Sequence, residues 1–81
     1  MNNRKLKKWI NKTLGRNIKK LRLERELSEQ YVSTKMKISL KKYRKLEKGY
    51  YAITVLQGFY VSEIFDVSIS YIVQDLDSMP F

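Results

Sequence analysis

SEQYVSTKMKISLKKYRKLEKG, residues 28–49, is the stretch on which the fold turns. Ser28 is a good N-cap, because its hydroxyl can accept a free backbone N–H of the turn that follows. This predicts a helix from about Glu29 to Met36 with Val32 and Met36 facing inward. Ser39 offers a second cap and predicts a helix from Leu40 to about Lys48, with Tyr43 and Leu46 three apart on its inner side. Gly49 follows at once, where a left-handed residue ends a helix at no steric cost. About three residues, Lys37, Ile38 and Ser39, join the two helices. Five of the nine residues from Leu40 to Lys48 are basic.

Working outward, helix signals continue on both sides. Leu6, Ile10, Leu14, Ile18 and Leu21 recur at spacings of 4, 4, 4 and 3, as one helix face requires. Gly15 is the weak point of this run, since a mid-helix glycine costs about 1 kcal/mol against alanine. The expected first helix runs from about Leu14 to Glu26, behind a basic arm or helical extension. Thr54 caps a fourth helix with Val55, Phe59 and Ile64 as inward positions, and Ser68 caps a fifth carrying Ile69, Ile72 and Val73. No segment alternates long enough to build a sheet. The expectation is an all-α, compact five-helix bundle: residues 1–13 an arm or extension, 14–74 the domain, and 75–81 a tail.

The 81 residues suffice for one small core. The chain has no cysteine and no histidine, which removes disulfides, thiolate metal sites and the commonest general base. No carboxylate pair has the spacing and apolar setting of acid–base catalysis, and there is no glycine-rich phosphate loop. The expectation is a non-enzyme without metal or cofactor. No apolar run approaches the roughly 20 residues of a membrane span, and no signal-peptide block opens the chain, so a cytoplasmic location is expected.

Charge is partitioned. All seventeen Lys and Arg lie between Arg4 and Lys48 with only four glutamates among them, so residues 1–48 carry a net +13. Residues 49–81 hold four acidic residues and no basic one, a net −4. Such asymmetry points to one side that faces a polyanion and another with different work. Two short helices joined by a tight turn form a DNA-binding helix-turn-helix when the second can enter a major groove. Lys41, Lys45 and Lys48 share one face of that second helix, flanked by Lys42 and Arg44, and offer donors to phosphates and guanine edges. The arm around Trp9 can extend the first helix, enter a minor groove, or, least favoured, lie on an anionic membrane. Tyr50, Tyr51, Phe59, Tyr60, Phe65, Tyr71, Met79 and Phe81 exceed the needs of one small core, and suggest a homodimer through the fifth helix and tail.

Leu14 to Val73 resembles the lambda-repressor/Cro type of five-helix helix-turn-helix domain over about 60 residues without a gap. The likeness rests on Leu14-Gly15 with Ile18, Leu21 and Arg22, on Leu27-Ser28, on Ile38-Ser39, on Leu46-Glu47-Lys48-Gly49, and on Val67-Ser68-Ile69. The resemblance implies a buried ion pair between Arg22 and Glu47. It implies base-facing positions at Leu40, Lys41 and Lys45, and backbone contacts from Arg44, Lys48 and the Tyr50–Tyr51 loop. The expected DNA-binding set is Gln30, Ser39, Leu40, Lys41, Lys42, Arg44, Lys45, Lys48 and Tyr51. The chain departs from the family pattern at four points. Lys37 stands where the turn usually carries glycine; a left-handed lysine there costs about 1–2 kcal/mol and predicts a looser turn. Ser33 replaces an alanine packed on the turn. Glu29 stands where a phosphate-contacting glutamine is common, leaving Gln30 to substitute. Leu40 can meet only a thymine methyl.

Two functions follow as expectations. The first is a sequence-specific transcriptional regulator, a repressor of phage or mobile-element type, that binds double-stranded DNA with helix 40–48 in the major groove. The second is a protein-interaction module on the same fold, an antirepressor or small inhibitor, whose DNA reading is weak or lost.

Overall fold

Hydroxyls set where four of the helices begin. In the computed structural model, which describes residues 3–78, Ser28, Ser39, Thr54 and Ser68 each accept the backbone N–H three residues on, at 3.0, 3.1, 3.1 and 3.2 Å. Thr54 adds the reciprocal bond of a capping box, its own N–H donating to the Gln57 side chain at 2.9 Å. These caps open α2 (Glu29–Lys35), α3 (Leu40–Glu47), α4 (Val55–Phe65) and α5 (Ile69–Ile72). Ahead of them lies α1 (Asn3–Glu24), and a single 3-10 turn (Leu76–Ser78) follows. The protein is all-α, and no strand occurs among the described residues.

The ends are as regular as the starts. After α1, α2, α3 and α4 the chain turns through one left-handed residue, Glu26, Lys37, Gly49 and Asp66 respectively. Each time, the amide of the following residue reaches back five positions to a carbonyl of the last turn, the Schellman pattern that satisfies orphan carbonyls. At the α2–α3 turn, Lys37 has φ +62°, its N–H donates to Thr34 at 3.1 Å, and Ile38 N–H donates to Ser33 at 3.1 Å. The turn is therefore closed, not loosened, and lysine takes the left-handed conformation that glycine would have taken more cheaply. Ser33 is fully buried, and its hydroxyl is satisfied by donating to the Gln30 carbonyl at 3.0 Å.

The core draws on every helix. Leu14, Ile18 and Leu21 of α1 meet Val32 and Met36 at the end of α2, Tyr43 and Leu46 of α3, Val61 and Phe65 of α4, and Ile72 of α5. Ile10 and Ile64 pack against it half-buried. Four expected inward positions instead face outward: Val55 and Phe59 are 79% and 58% exposed, and Ile69 and Val73 are 40% and 37% exposed. In α4 the physical reason is that the helix is apolar on nearly every side, so its period selects no face; packing selects Val61 and Phe65. In α5 a single turn can bury only one side chain deeply, and Ile72 takes that place.

α1 is one unbroken helix through Gly15 and includes the basic N-terminal residues from Asn3 onward. Its 22 residues span about 33 Å at 1.5 Å each, which accounts for most of the 37 Å long dimension of a molecule otherwise 24 by 21 Å. Gly15 is a contact point and not a break. A Cβ there would lie 2.4 Å from the Leu46 carbonyl oxygen and 2.7 Å from that of Glu47. Glycine thus lets α1 settle directly on the C-terminal end of α3. Trp9 is half-buried. Met79 and Phe81, invoked above for a dimer surface, lie outside the described residues. Among the described residues no helix is long and apolar enough to cross a membrane.

Two glycines inside helices should therefore respond oppositely to alanine. Gly15→Ala gains helix propensity but forces backbone against backbone, and should lower unfolding free energy by about 1–3 kcal/mol. Gly58→Ala, with nothing within 4 Å of the new Cβ, should raise it by about 0.5–1 kcal/mol. Urea denaturation of the two variants measures both.

Candidate nucleic-acid interface

α3 is held from below. Tyr43 and Leu46 are 0% and 2% exposed, so one flank of the helix is fixed in the core. Its C-terminal end is clamped to α1 by Arg22, whose Nε donates to Glu47 Oε2 at 2.7 Å and whose Nη2 donates to Oε1 at 3.3 Å. A third guanidinium bond reaches the Leu27 carbonyl at 3.0 Å. Both side chains are nearly enclosed, 10% and 5% exposed. The hydrogen bond to Glu47 holds the Arg22 guanidinium more strongly basic than usual, against the opposing effect of burial. The Tyr43 hydroxyl also donates to Glu47 Oε2. Losing one partner of such a buried pair leaves the other charge stranded, at a cost of about 3–5 kcal/mol.

Above this anchor the opposite flank is open. Leu40, Lys41, Arg44, Lys45 and Lys48 line a shallow groove of about 510 Å³ with Tyr50 of the following loop. The four cations are exposed and Leu40 is half-buried among them. Arg44 also makes a loose pair with Glu29 across the turn, Nε to Oε1 at 3.4 Å. The carboxylate that would repel a phosphate from the start of α2 is thereby partly neutralised. Exposed pairs of this kind are worth only about 0–1 kcal/mol, so Arg44 can leave Glu29 for a better acceptor.

The other expected site residues fall elsewhere. Lys42 lies beside the groove, its Nζ 5.3 Å from the centroid of the Tyr51 ring. Gln30 is exposed but donates to Thr34 Oγ1 at 3.1 Å. The Ser39 hydroxyl is engaged as the α3 cap. Tyr51 does not line the groove. It packs half-buried against the core, and its hydroxyl is enclosed with no hydrogen-bond partner among the described residues. The neighbouring Tyr50 is 69% exposed and is the ring that reaches the groove. The two tyrosines are chemically alike and adjacent, so only the course of the chain after Gly49 (φ +80°) separates them.

Two further residues carry structural weight that sequence reasoning missed. Asn17, 4% exposed, donates from Nδ2 to the carbonyls of Ile72 and Gln74, both at 2.9 Å. Thr13 is 2% exposed on the same helix. A buried polar side chain on an apolar stripe was the available signal, since burial is tolerated only when such a group finds partners. No protein-family model matches the chain, and no curated protein matches it either.

The buried phenol at the base of α3 makes stability depend on alkaline pH. Burial first, then the hydrogen bond and charge of Glu47, push the Tyr43 phenol far above its ordinary value near 10. Burial pushes Tyr51 up as well. The folded state keeps these protons where the unfolded chain has lost them. Stability is therefore full below about pH 10 and falls as pH rises beyond it. Urea midpoints should drop from about pH 10 upward, and Tyr43→Phe should flatten that drop without abolishing it.

Proposed function

We propose that the protein binds duplex DNA through α3 and acts as a transcriptional regulator, a repressor of the small phage or mobile-element kind. On this reading α2, the turn at Lys37–Ser39 and α3 work as a helix-turn-helix. The observation that carries the proposal is the division of α3 into two flanks. Tyr43 and Leu46 are sunk in the core, while Lys41, Arg44, Lys45 and Lys48 surround one open groove. A short rod anchored on one side with long donors on the other suits the major groove, whose edges and bordering phosphates accept hydrogen bonds. Leu40, at the N-terminal end of the rod, is suited to a thymine methyl. Repression then follows from occupying a promoter and excluding polymerase, in the cytoplasm and without a cofactor.

Neutralising about five phosphates from α3 and its loop implies a log–log slope of binding against salt of about −4 to −5, or steeper. Fluorescence anisotropy with labelled duplex in rising salt measures it. Lys41→Ala and Lys45→Ala should relax base preference, whereas Lys48→Ala should weaken all sequences alike. Absence of duplex binding at low salt would remove the proposal.

We also infer a homodimer, because α5 keeps Ile69, Tyr71 and Val73 at 40%, 41% and 37% exposure in the half of the chain that lacks basic residues. Pairing there holds the two cationic halves apart and sets two copies of α3 on one side of a duplex. Sizing in solution should return a dimer, and Ile69→Glu a monomer; a wild-type monomer at all concentrations would sink the pairing. One observation favours the second reading, a protein-interaction module. Val55, Leu56 and Phe59 form an apolar face on α4 at 79%, 60% and 58% exposure. Capture of a stoichiometric protein partner that survives nuclease, unaffected by changes at Lys41 and Lys45, would favour it.

A further inference from the structure

The face of α1 that closes on α3 does not stop where α3 stops. Arg4, Lys8, Asn11, Gly15 and Arg22 follow one another at spacings of 4, 3, 4 and 7, which places them on one side of the helix. From Gly15 to Arg22 this side is the docking surface already described: Gly15 against the last carbonyls of α3, Arg22 on Glu47. At Lys12 the helix passes Gly49, where an added Cβ would lie 2.7 Å from the Lys12 Cα. Beyond Lys12, towards the N-terminus, the same side continues past the end of α3, and there it changes character. Arg4, Lys7 and Lys8 are exposed, and with Asn11, Gly49 and Tyr50 they line a second open groove of about 630 Å³. Tyr50 lines both this groove and the one along α3. The two cationic grooves therefore meet at one side chain.

We propose that the N-terminal half of α1 is a second phosphate-binding surface, a rigid ledge that grips the DNA backbone next to the base pairs met by α3. This rests on the DNA-binding reading above and extends it to residues that reading does not use. A ledge differs from a basic arm. Its three cations are held on a helix whose position is fixed by Gly15 and Gly49, so they reach the backbone without first being ordered, and the ordering entropy of a flexible tail is avoided. From Lys12 to Arg4 the helix advances about 12 Å at 1.5 Å per residue. That is the axial rise of three to four base pairs. The ledge therefore contacts phosphates outside the α3 footprint, on the side of Lys48. It adds affinity and orientation and no base reading, because phosphates are the same at every sequence.

The test compares the full chain with a variant carrying Arg4→Ala, Lys7→Ala and Lys8→Ala, all exposed helix positions where alanine favours the helix. Circular dichroism checks that helix content is kept. Both proteins are titrated onto one duplex over a salt series, then mapped by cleavage of the DNA backbone. Three phosphate contacts per bound copy at about 0.9 each predict that the variant's log–log slope is shallower by about 2.7 for each copy on the duplex. Between about 50 and 200 mM salt, wild-type affinity then falls about 40-fold more than that of the variant for each copy bound. The variant's footprint loses three to four base pairs at one edge of each α3 contact. Lys20→Ala, on the opposite face of the same helix, keeps slope and footprint. If the full chain binds and the triple variant matches it in slope and footprint, the ledge is refuted while α3 binding stands. If the full chain does not bind duplex at all, the DNA-binding reading fails and the ledge with it. If the substitutions spare duplex binding but abolish attachment to vesicles containing phosphatidylserine, the surface belongs to a membrane and the proposal is overturned.

Discussion

The clamp between α1 and α3 is the contact on which the rest depends. Arg22 and Glu47, 25 residues apart, meet in two charge-assisted bonds, with the Leu27 carbonyl and the Tyr43 hydroxyl filling further positions around them. The nearby approach of Gly15 to the α3 carbonyls brings the two helices close enough for that geometry. A chain of this length has a total stability of about 4–12 kcal/mol, so a pair whose halves cost about 3–5 kcal/mol when stranded is a large share of it. The clamp also orients. By fixing the C-terminal end of α3 while Tyr43 and Leu46 fix its underside, it leaves the helix no rotation that would turn its lysines away from solvent.

Much of this architecture could be read from residue chemistry. The four hydroxyl caps are short-range devices, needing only a side-chain oxygen and an N–H three residues on, and all four lie at Ser28, Ser39, Thr54 and Ser68 as the sequence indicates. The inward residues of α1 to α3 were legible because polar residues surround a narrow apolar stripe. In α4 that contrast is missing, and Val55 and Phe59 were assigned to a core that Val61 and Phe65 occupy. Gly15 was misjudged for a different reason: a propensity scale knows its cost within a helix but not the backbone of α3 above it. In the candidate site, the shared face of Lys41, Lys45 and Lys48, with Arg44 beside it, was legible from helical spacing, whereas Leu40 came only from the family resemblance. That Tyr50 and not Tyr51 lines the groove depends on loop geometry that no spacing encodes.

The uneven charge acquires a physical layout in the folded chain. Arg4, Lys7 and Lys8 on α1 and Lys41, Arg44, Lys45 and Lys48 on α3 come from distant parts of the sequence, yet their two grooves share Tyr50. Gathering so many like charges costs self-repulsion, and among the described residues the carboxylate paired with this group is Glu29, in a loose and exposed contact. A fold that tolerates such crowding is under constant pressure towards an external anion. The acidic, apolar half avoids the same pressure and keeps its uncovered side chains on α4 and α5.

Asn17 ties α5 to α1, and α5 depends on that tie. α5 has four residues, fewer than an isolated helix needs to persist in water. Its closing carbonyl, that of Ile72, is held by a side chain that lies 55 residues earlier. The final helix is thus a conformation lent to it by the first. α5 therefore has no helical existence apart from α1, and any surface that it makes exists only while the two are docked.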